Sequence, residues 1–333
     1  MLHKNRKEGR RPLNVIITID TECWGHYGDV VLDIASSLRG RVPGKSGEFG
    51  IRKQLELLSA HSMHATFFVE PFFSLVAGSK ELDWVVSSIQ GFGSDVQLHA
   101  HPEWLHRAGE NQGLSSTSDD VADYPIEEQR SILARAKELL SQVSLTEITA
   151  FRAGNYGANG DTLKALAAVD IAYDSSFNPS YGRVSDRIAG ASDNQPFYVG
   201  STLEFPVSCF SDGNRRLRHF QVTATSFEEM RHGLEEAHRL DWETFVIVLH
   251  SFEWIWRVKG KQRRHLLDRL VLSRFRKLLR YLEQEGERYK VVTFSDLKRM
   301  SPEIVESKPP IVGRSLHTAK RNLEQAWRRT TYF

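Results

Sequence analysis

Short runs rich in Val, Ile, Phe and Thr alternate with amphipathic helical stretches along most of the chain. That alternation limits the possible folds more than any other feature. The runs are NVIITID (14–20), HATFFVE (64–70), SDVQLHA (94–100), EITAFRAG (147–154), IAYDSSF (171–177), TLEFPVS (202–208), TFVIVLHS (244–251) and YKVVTFSDL (289–297). Several are apolar throughout, as strands covered on both faces are. Helical spacing marks 50–61, 125–143, 159–170, 226–240 and 263–286, with Asn159 and Asp161 as cap candidates. Strand–helix alternation predicts an α/β fold with a parallel sheet, either open or closed into a (β/α) barrel. The expected organisation is a basic leader at 1–13, a barrel domain at 14–300 and a basic C-terminal tail at 301–333. The tail reads as frayed or loosely docked, with a peripheral membrane or partner contact through Trp327 and Phe333 as the sharper reading.

Charge and composition exclude several function classes. Forty-four basic residues against 42 acidic ones give a net charge of +2, too little for a field that selects nucleic acid. No apolar run approaches the ~18–20 residues that span a bilayer. The basic start, MLHKNRKEGRRPL, is not followed by a signal-type apolar segment with a cleavage site. Cys23 and Cys209 are too few for a disulfide framework, which suits a reducing compartment. The expected location is therefore cytoplasmic.

In a (β/α) barrel, working side chains sit where strands end at the C-terminal face. The first strand ends in Asp20 and Glu22, the third in His99, His101 and Glu103, the fourth in Arg152 and Gly154, the sixth in Glu204, and the seventh in His250 and Glu253. A chain that only had to fold would rarely collect titratable groups at so many strand ends. His99 and His101 alternate, so both imidazoles can face one ion, and Glu22 would complete a set of two His and one carboxylate. That set, with water in an open position, is a catalytic zinc pattern, although it suits other divalent ions too. Glu103, four residues after His99, is the alternative third ligand. Asp20 is placed to act as base toward an ion-bound water, with Arg152 orienting it. His250, after a very apolar strand, can protonate a leaving amine. Cys23 reads as a packing residue.

Taken together, these residues resemble the polysaccharide deacetylase family, the NodB-homology or chitin-deacetylase-like carbohydrate esterases. ITIDTE is similar to the family's first motif, in which an aspartate base is followed by a metal-binding carboxylate. FRAGNYG is similar to its arginine motif, and Leu249-His250 to its last, leucine-histidine motif. DVQLHAHPEW departs from the usual second motif: its histidines are two apart instead of four, and the fourth position is Glu103. The resemblance runs from about residue 14 to 298. It implies a distorted (β/α) barrel of about seven to eight strands, consistent with the alternation.

The resemblance further implies a metal-dependent deacetylase acting on an N-acetylated sugar or polysaccharide precursor, such as one made for exopolysaccharide. Glu22, His99 and His101 (or Glu103) would bind the metal, with zinc the expected ion. Asp20, Arg152 and His250 would be catalytic. Trp24, Gly154, Tyr156, Leu249 and Glu253 are the expected substrate contacts, and Trp104, Trp254 and Trp256 are further aromatic candidates for a sugar face. Two other readings stay open: a non-sugar amide or cyclic imide hydrolase of the same fold, and a non-catalytic carbohydrate-binding relative. A glycosidase using Asp20 and Glu22 is disfavoured, because two carboxylates on one strand end hardly flank a bond at ~5–9 Å.

Overall fold

The computed structural model describes residues 10–23, 37–111, 113–182, 188, 192, 194–212, 216–258, 264–300 and 306–332. Its strands are β1 (Leu13–Thr21), β2 (Thr66–Val69), β3 (Asp95–Ala100), β4 (Ala150–Ala153), β5 (Tyr173–Asp174), β6 (Phe197–Val199), β7 (Thr202–Glu204), β8 (Cys209–Ser211), β9 (Leu217–His219), β10 (Thr244–His250), β11 (Ile255–Val258), β12 (Arg264–Leu267), β13 (Tyr289–Val291) and β14 (Ile311–Val312). The main sheet runs β10-β1-β2-β3-β4-β5-β7-β6, with β13 beside the start of β1. Every pairing in it is parallel except the β6–β7 hairpin at its edge. Two smaller sheets are β11-β12 and β14-β8-β9.

Successive strand residues face opposite sides of a sheet, and here the two sides have different jobs. Ile17 and Ile19 of β1 and Ile247 and Leu249 of β10 join the large cluster beneath the helices, with Leu55, Leu58 and Phe275. Ile16 and Val246 face the barrel interior, where they meet Phe68, Phe205, Phe294 and Leu297. Along β1 the inward positions change from Ile16 to Thr18 to Asp20, all buried. The barrel is thus plugged with apolar side chains at the bottom and turns polar toward the C-terminal ends of its strands.

The wall between β7 and β10 is irregular. Ser208 N donates to the Val246 carbonyl at 3.3 Å, Val246 N to Ser208 Oγ at 2.9 Å, and Val248 N to the Phe220 carbonyl at 2.9 Å. An irregular segment therefore covers the backbone groups a full strand would otherwise pair. The fold is a distorted (β/α) barrel, as the family resemblance implies and one of the two forms the alternation allows.

Two sequence expectations are corrected. The last strand stops at Val291, because Asp296 accepts from both Thr293 N and Thr293 Oγ1 at 2.9 Å and turns the chain into the helix Phe294–Met300. The tail is not frayed: Ser315–Tyr332 forms a helix. Arg321 on that helix is buried and meets Glu229 at 2.7 Å, Arg274 meets Glu324 at 2.6 Å, and Arg328 meets Asp268 at 2.5 Å. Charge pairing, not apolar anchoring, holds it, so hydrophobic periodicity alone missed it. Among the described residues, no helix is long and apolar enough to cross a membrane. Cys23 and Cys209 are buried free thiols.

Candidate active site

Parallel register sets the first layer of the site. Asp20 lies opposite His250 on β10, and His99 lies opposite Arg152 on β4. Paired residues on neighbouring strands project the same way, so four strand ends direct polar side chains into one space. Glu22, just past β1, approaches from the rim. Its Oε2 is 2.6 Å from His101 Nε2 and 3.4 Å from His99 Nε2, and its Oε1 is 3.8 Å from His250 Nε2.

Each of the paired histidines is fixed from behind. His99 Nδ1 donates to the Arg152 carbonyl at 2.6 Å. A carbonyl oxygen only accepts, so a proton sits on Nδ1, and Nε2 is the ring nitrogen turned toward the site. His101 Nδ1 meets Asp119 Oδ2 at 2.7 Å, an arrangement that raises ligand basicity and fixes the ring. Burial disfavours charge on His101 and Glu22 alike. The charge of Glu22 and the Asp119 hydrogen bond nevertheless hold His101 well above the usual imidazole range. The neighbouring His101, with help from His99 and His250, holds Glu22 well below the usual carboxylate range.

The donor set fits a divalent cation. One donor atom from each of Glu22, His99 and His101 lies within 4.8 Å of the others. Two imidazole nitrogens and one carboxylate oxygen, each with an outer hydrogen-bond partner or buried wall, match sites that keep a coordination position open. Glu103 is not part of this group. It begins the helix Glu103–Ala108, and its carboxylate pairs with Arg107 at 3.3 Å.

Arg152 is fully buried, and its fork makes four hydrogen bonds. Nη1 donates to Asp20 Oδ1 at 2.8 Å and to Thr18 Oγ1 at 2.7 Å, Nε to the Ser175 carbonyl at 2.9 Å, and Nη2 to Ser175 Oγ at 2.9 Å. Its guanidinium also lies 4.6 Å from the centre of the Phe68 ring. Asp20 is therefore held by a group that cannot lose its charge.

His250 is held on the opposite side. Glu253 Oε2 accepts from His250 N at 2.9 Å and lies 3.2 Å from His250 Nδ1, while Glu253 Oε1 accepts from Thr223 N at 2.8 Å. Gln54 Nε2 caps the His250 carbonyl at 2.7 Å. Burial alone would lower the His250 pKa; the Glu253 hydrogen bond and the charge of Glu22 push it up to about 9.

Several expected substrate contacts are placed otherwise. Leu249 neighbours His250 in an extended strand and so faces the other way, into the core under the helices. Glu253 has both oxygens occupied by protein donors and serves His250. Gly154 packs against His101: a Cβ there would stand 2.5 Å from its ring. Trp104 and Trp254 are buried in the core, and Trp256 lies under the Arg328 guanidinium at 5.2 Å. Tyr156 is buried among Phe177, Val207 and Val248, in a left-handed conformation at φ 56°, with its ring 5.1 Å from that of Tyr181. Burial, with the nearby Asp20 charge, pushes its hydroxyl far above the usual tyrosine range. Trp24 lies outside the described residues. Asp119, Gln54 and Gln221 were not foreseen; they come from a loop, a helix and an irregular segment, where no strand-end rule points to them.

No protein-family model matches this sequence, and no curated protein matches it either. Solved structures do. A candidate polysaccharide deacetylase from Mycobacterium smegmatis aligns over 91% of this chain and 96% of its own, at 16% identity and a TM-score of 0.58. The 4-alpha-glucanotransferase of Thermococcus litoralis aligns over 90% of this chain but 42% of its own, at 14% identity and a TM-score of 0.53. A weaker likeness, with a TM-score of 0.43 and 12% identity, is to a CE4-family pseudoenzyme from Bacillus anthracis, over 87% of this chain and 66% of that one. The chain thus carries the fold of the solved polysaccharide deacetylase structure, a distorted (β/α) barrel whose candidate site lies at the C-terminal ends of its strands.

Proposed function

We propose that the protein is a metal-dependent hydrolase that removes acetyl groups from an N-acetylated sugar or polysaccharide precursor. The observation that carries this reading is the convergence of Glu22, His99 and His101 beside an aspartate held by a buried arginine. A divalent ion in that set, zinc in our reading, supplies a polarising charge for the acetyl carbonyl and makes a bound water acidic near neutral pH.

The chain's own residues do the rest. Asp20, oriented by Arg152, takes the water proton as water adds to the carbonyl carbon. Tyr156, which burial and the Asp20 charge keep neutral, is packed beside that space. His250, with Nδ1 toward Glu253 and Nε2 toward the site, carries a proton at neutral pH and gives it to the leaving nitrogen. The C–N bond then breaks, and acetate and the free amine separate. Asp20 and His250 sit side by side on paired strands, so one removes a proton and the other returns one without either moving far.

The test is acetate release from N-acetylglucosamine oligomers by zinc-loaded protein, set against chelator-treated protein and Asp20→Asn. The account requires release by the loaded wild type alone, with Asp20→Asn still holding metal. Undiminished release by Asp20→Asn would remove the base from the proposal.

A further inference from the structure

Beside the site lies a cavity of about 250 Å³ lined by Ser180, Tyr181, Arg216, Leu217, Arg218 and His219, together with Ala224. It connects to the candidate catalytic groups by two routes. Tyr181 packs against Tyr156 with the rings tilted at 51°, their centres 5.1 Å apart. His219 Nε2 meets Gln221 Oε1 at 2.9 Å, and Gln221 Nε2 in turn lies 3.1 Å from His250 Nδ1. The lining contains two arginines and no carboxylate. Arg218 has a partner behind the wall, Asp212, at 3.4 Å. The Arg216 side chain is exposed and has no carboxylate partner among the described residues. Burial and the nearby His250 charge lower the His219 pKa, so its ring adds no third charge and serves as a neutral hydrogen-bonding wall. Tyr181 is 47% exposed, an aromatic face open to the cavity.

We propose that this cavity is a subsite for a negatively charged substituent on the N-acetylated sugar, a phosphate or a carboxylate, gripped by Arg216 and Arg218 while the sugar ring lies against Tyr181. The inference rests on the deacetylase reading and deepens it: the substrate is an acidic amino sugar and not a neutral chain. A guanidinium fork matches the geometry of both anions, and a half-exposed tyrosine suits a ring with one apolar face. A neutral polysaccharide would leave Arg216 unpaired at the mouth of the site and gain nothing from it.

Binding, measured by calorimetry on the zinc-loaded Asp20→Asn protein, tests the subsite without turnover. Three probes are compared: N-acetylglucosamine, N-acetylglucosamine 1-phosphate and N-acetylglucosaminuronic acid. At least one of the acidic probes should bind about ten-fold tighter than the neutral one, the factor a single charge-assisted hydrogen bond supplies. The arm that binds tighter tells phosphate from carboxylate. The preference should fall as salt rises, shrink in Arg216→Ala and vanish in Arg216→Glu, with thermal melts confirming that both variants fold. Equal binding of all three probes, or a preference that survives in Arg216→Glu, would overturn the subsite. Loss of the deacetylase reading would look different: the acidic preference would persist while wild-type protein released no acetate from any probe.

Discussion

The Arg152 carbonyl accepts the Nδ1 proton of His99 at 2.6 Å, while the Arg152 side chain grips Asp20 at 2.8 Å. One residue thus orients a candidate metal ligand with its main chain and the candidate base with its guanidinium. The two catalytic requirements share a single fixed point at the end of β4, itself locked by Ser175 and Thr18. Any shift of β4 against β1 or β3 would disturb both at once.

Asp119 and Glu103 compete as the carboxylate that matters after Glu22, and the geometry separates them. Asp119 supports His101 at 2.7 Å, whereas Glu103 is engaged with Arg107 on its own helix. Asp119→Asn should weaken zinc affinity by about 10- to 100-fold, as loss of an outer partner does. Glu103→Gln should leave it within about two-fold, the scale of an exposed ion pair. Competition titration with a chromophoric chelator reads both.

Gly154→Ala offers a steric test. The added methyl would stand 2.5 to 2.7 Å from three atoms of the His101 ring. Overpacking of this kind costs about 1–3 kcal/mol. The strain should push the ring from its place, so zinc affinity should fall by more than ten-fold while the far-ultraviolet circular dichroism spectrum is kept.

Much of this arrangement was legible in the sequence, and the parts that were not share a physical cause. Apolar runs ending in Asp20, His99, Arg152 and His250 mark strand ends, because a parallel strand must be apolar along its length and polar only where it opens to the site. Leu249 was misread because motif adjacency was taken for spatial adjacency, which alternation in a strand forbids. Asp119 sits in a loop without periodicity, so only the folded chain brings it to His101. Strands β8, β9 and β14 span two or three residues each, too short to register as a pattern. The Ser315–Tyr332 helix is held by ion pairs whose partners are far away in sequence, such as Glu229 for Arg321.

That helix yields a stability prediction. Arg321 and Glu229 are both almost wholly buried. Removing one partner strands a buried charge, at about 3–5 kcal/mol. Arg321→Ala should therefore lower the free energy of urea unfolding by that order, whereas removing the exposed partner in Lys164→Ala should change it by less than about 1 kcal/mol.

Asp174 and Glu204 lie side by side on β5 and β7, and Asp174 Oδ2 and Glu204 Oε2 have no hydrogen-bond partner among the described residues. Burial, and for Glu204 the adjacent Asp174, raises both carboxyl pKa values, Glu204 the more strongly. A carboxyl whose folded pKa is raised keeps its proton when the unfolded chain has lost it. Stability from this site is therefore complete below the ordinary value of 4.5 and declines as pH rises toward the raised value. The slope is at most about 1.4 kcal/mol per pH unit for one proton. Glu204→Gln supplies the hydrogen permanently. Its stability relative to wild type should rise as pH is taken from 5 to 8 in parallel thermal melts; a constant difference would mean the pair is not protonated.

The most direct test of the central claim is an anomalous difference map at the zinc edge from zinc-soaked crystals. The account predicts one peak about 2.0–2.2 Å from His99 Nε2, His101 Nε2 and a Glu22 carboxylate oxygen, with Glu103 away from it. A peak bound elsewhere, or density at only one of these three side chains, would contradict a shared ion and with it the hydrolase.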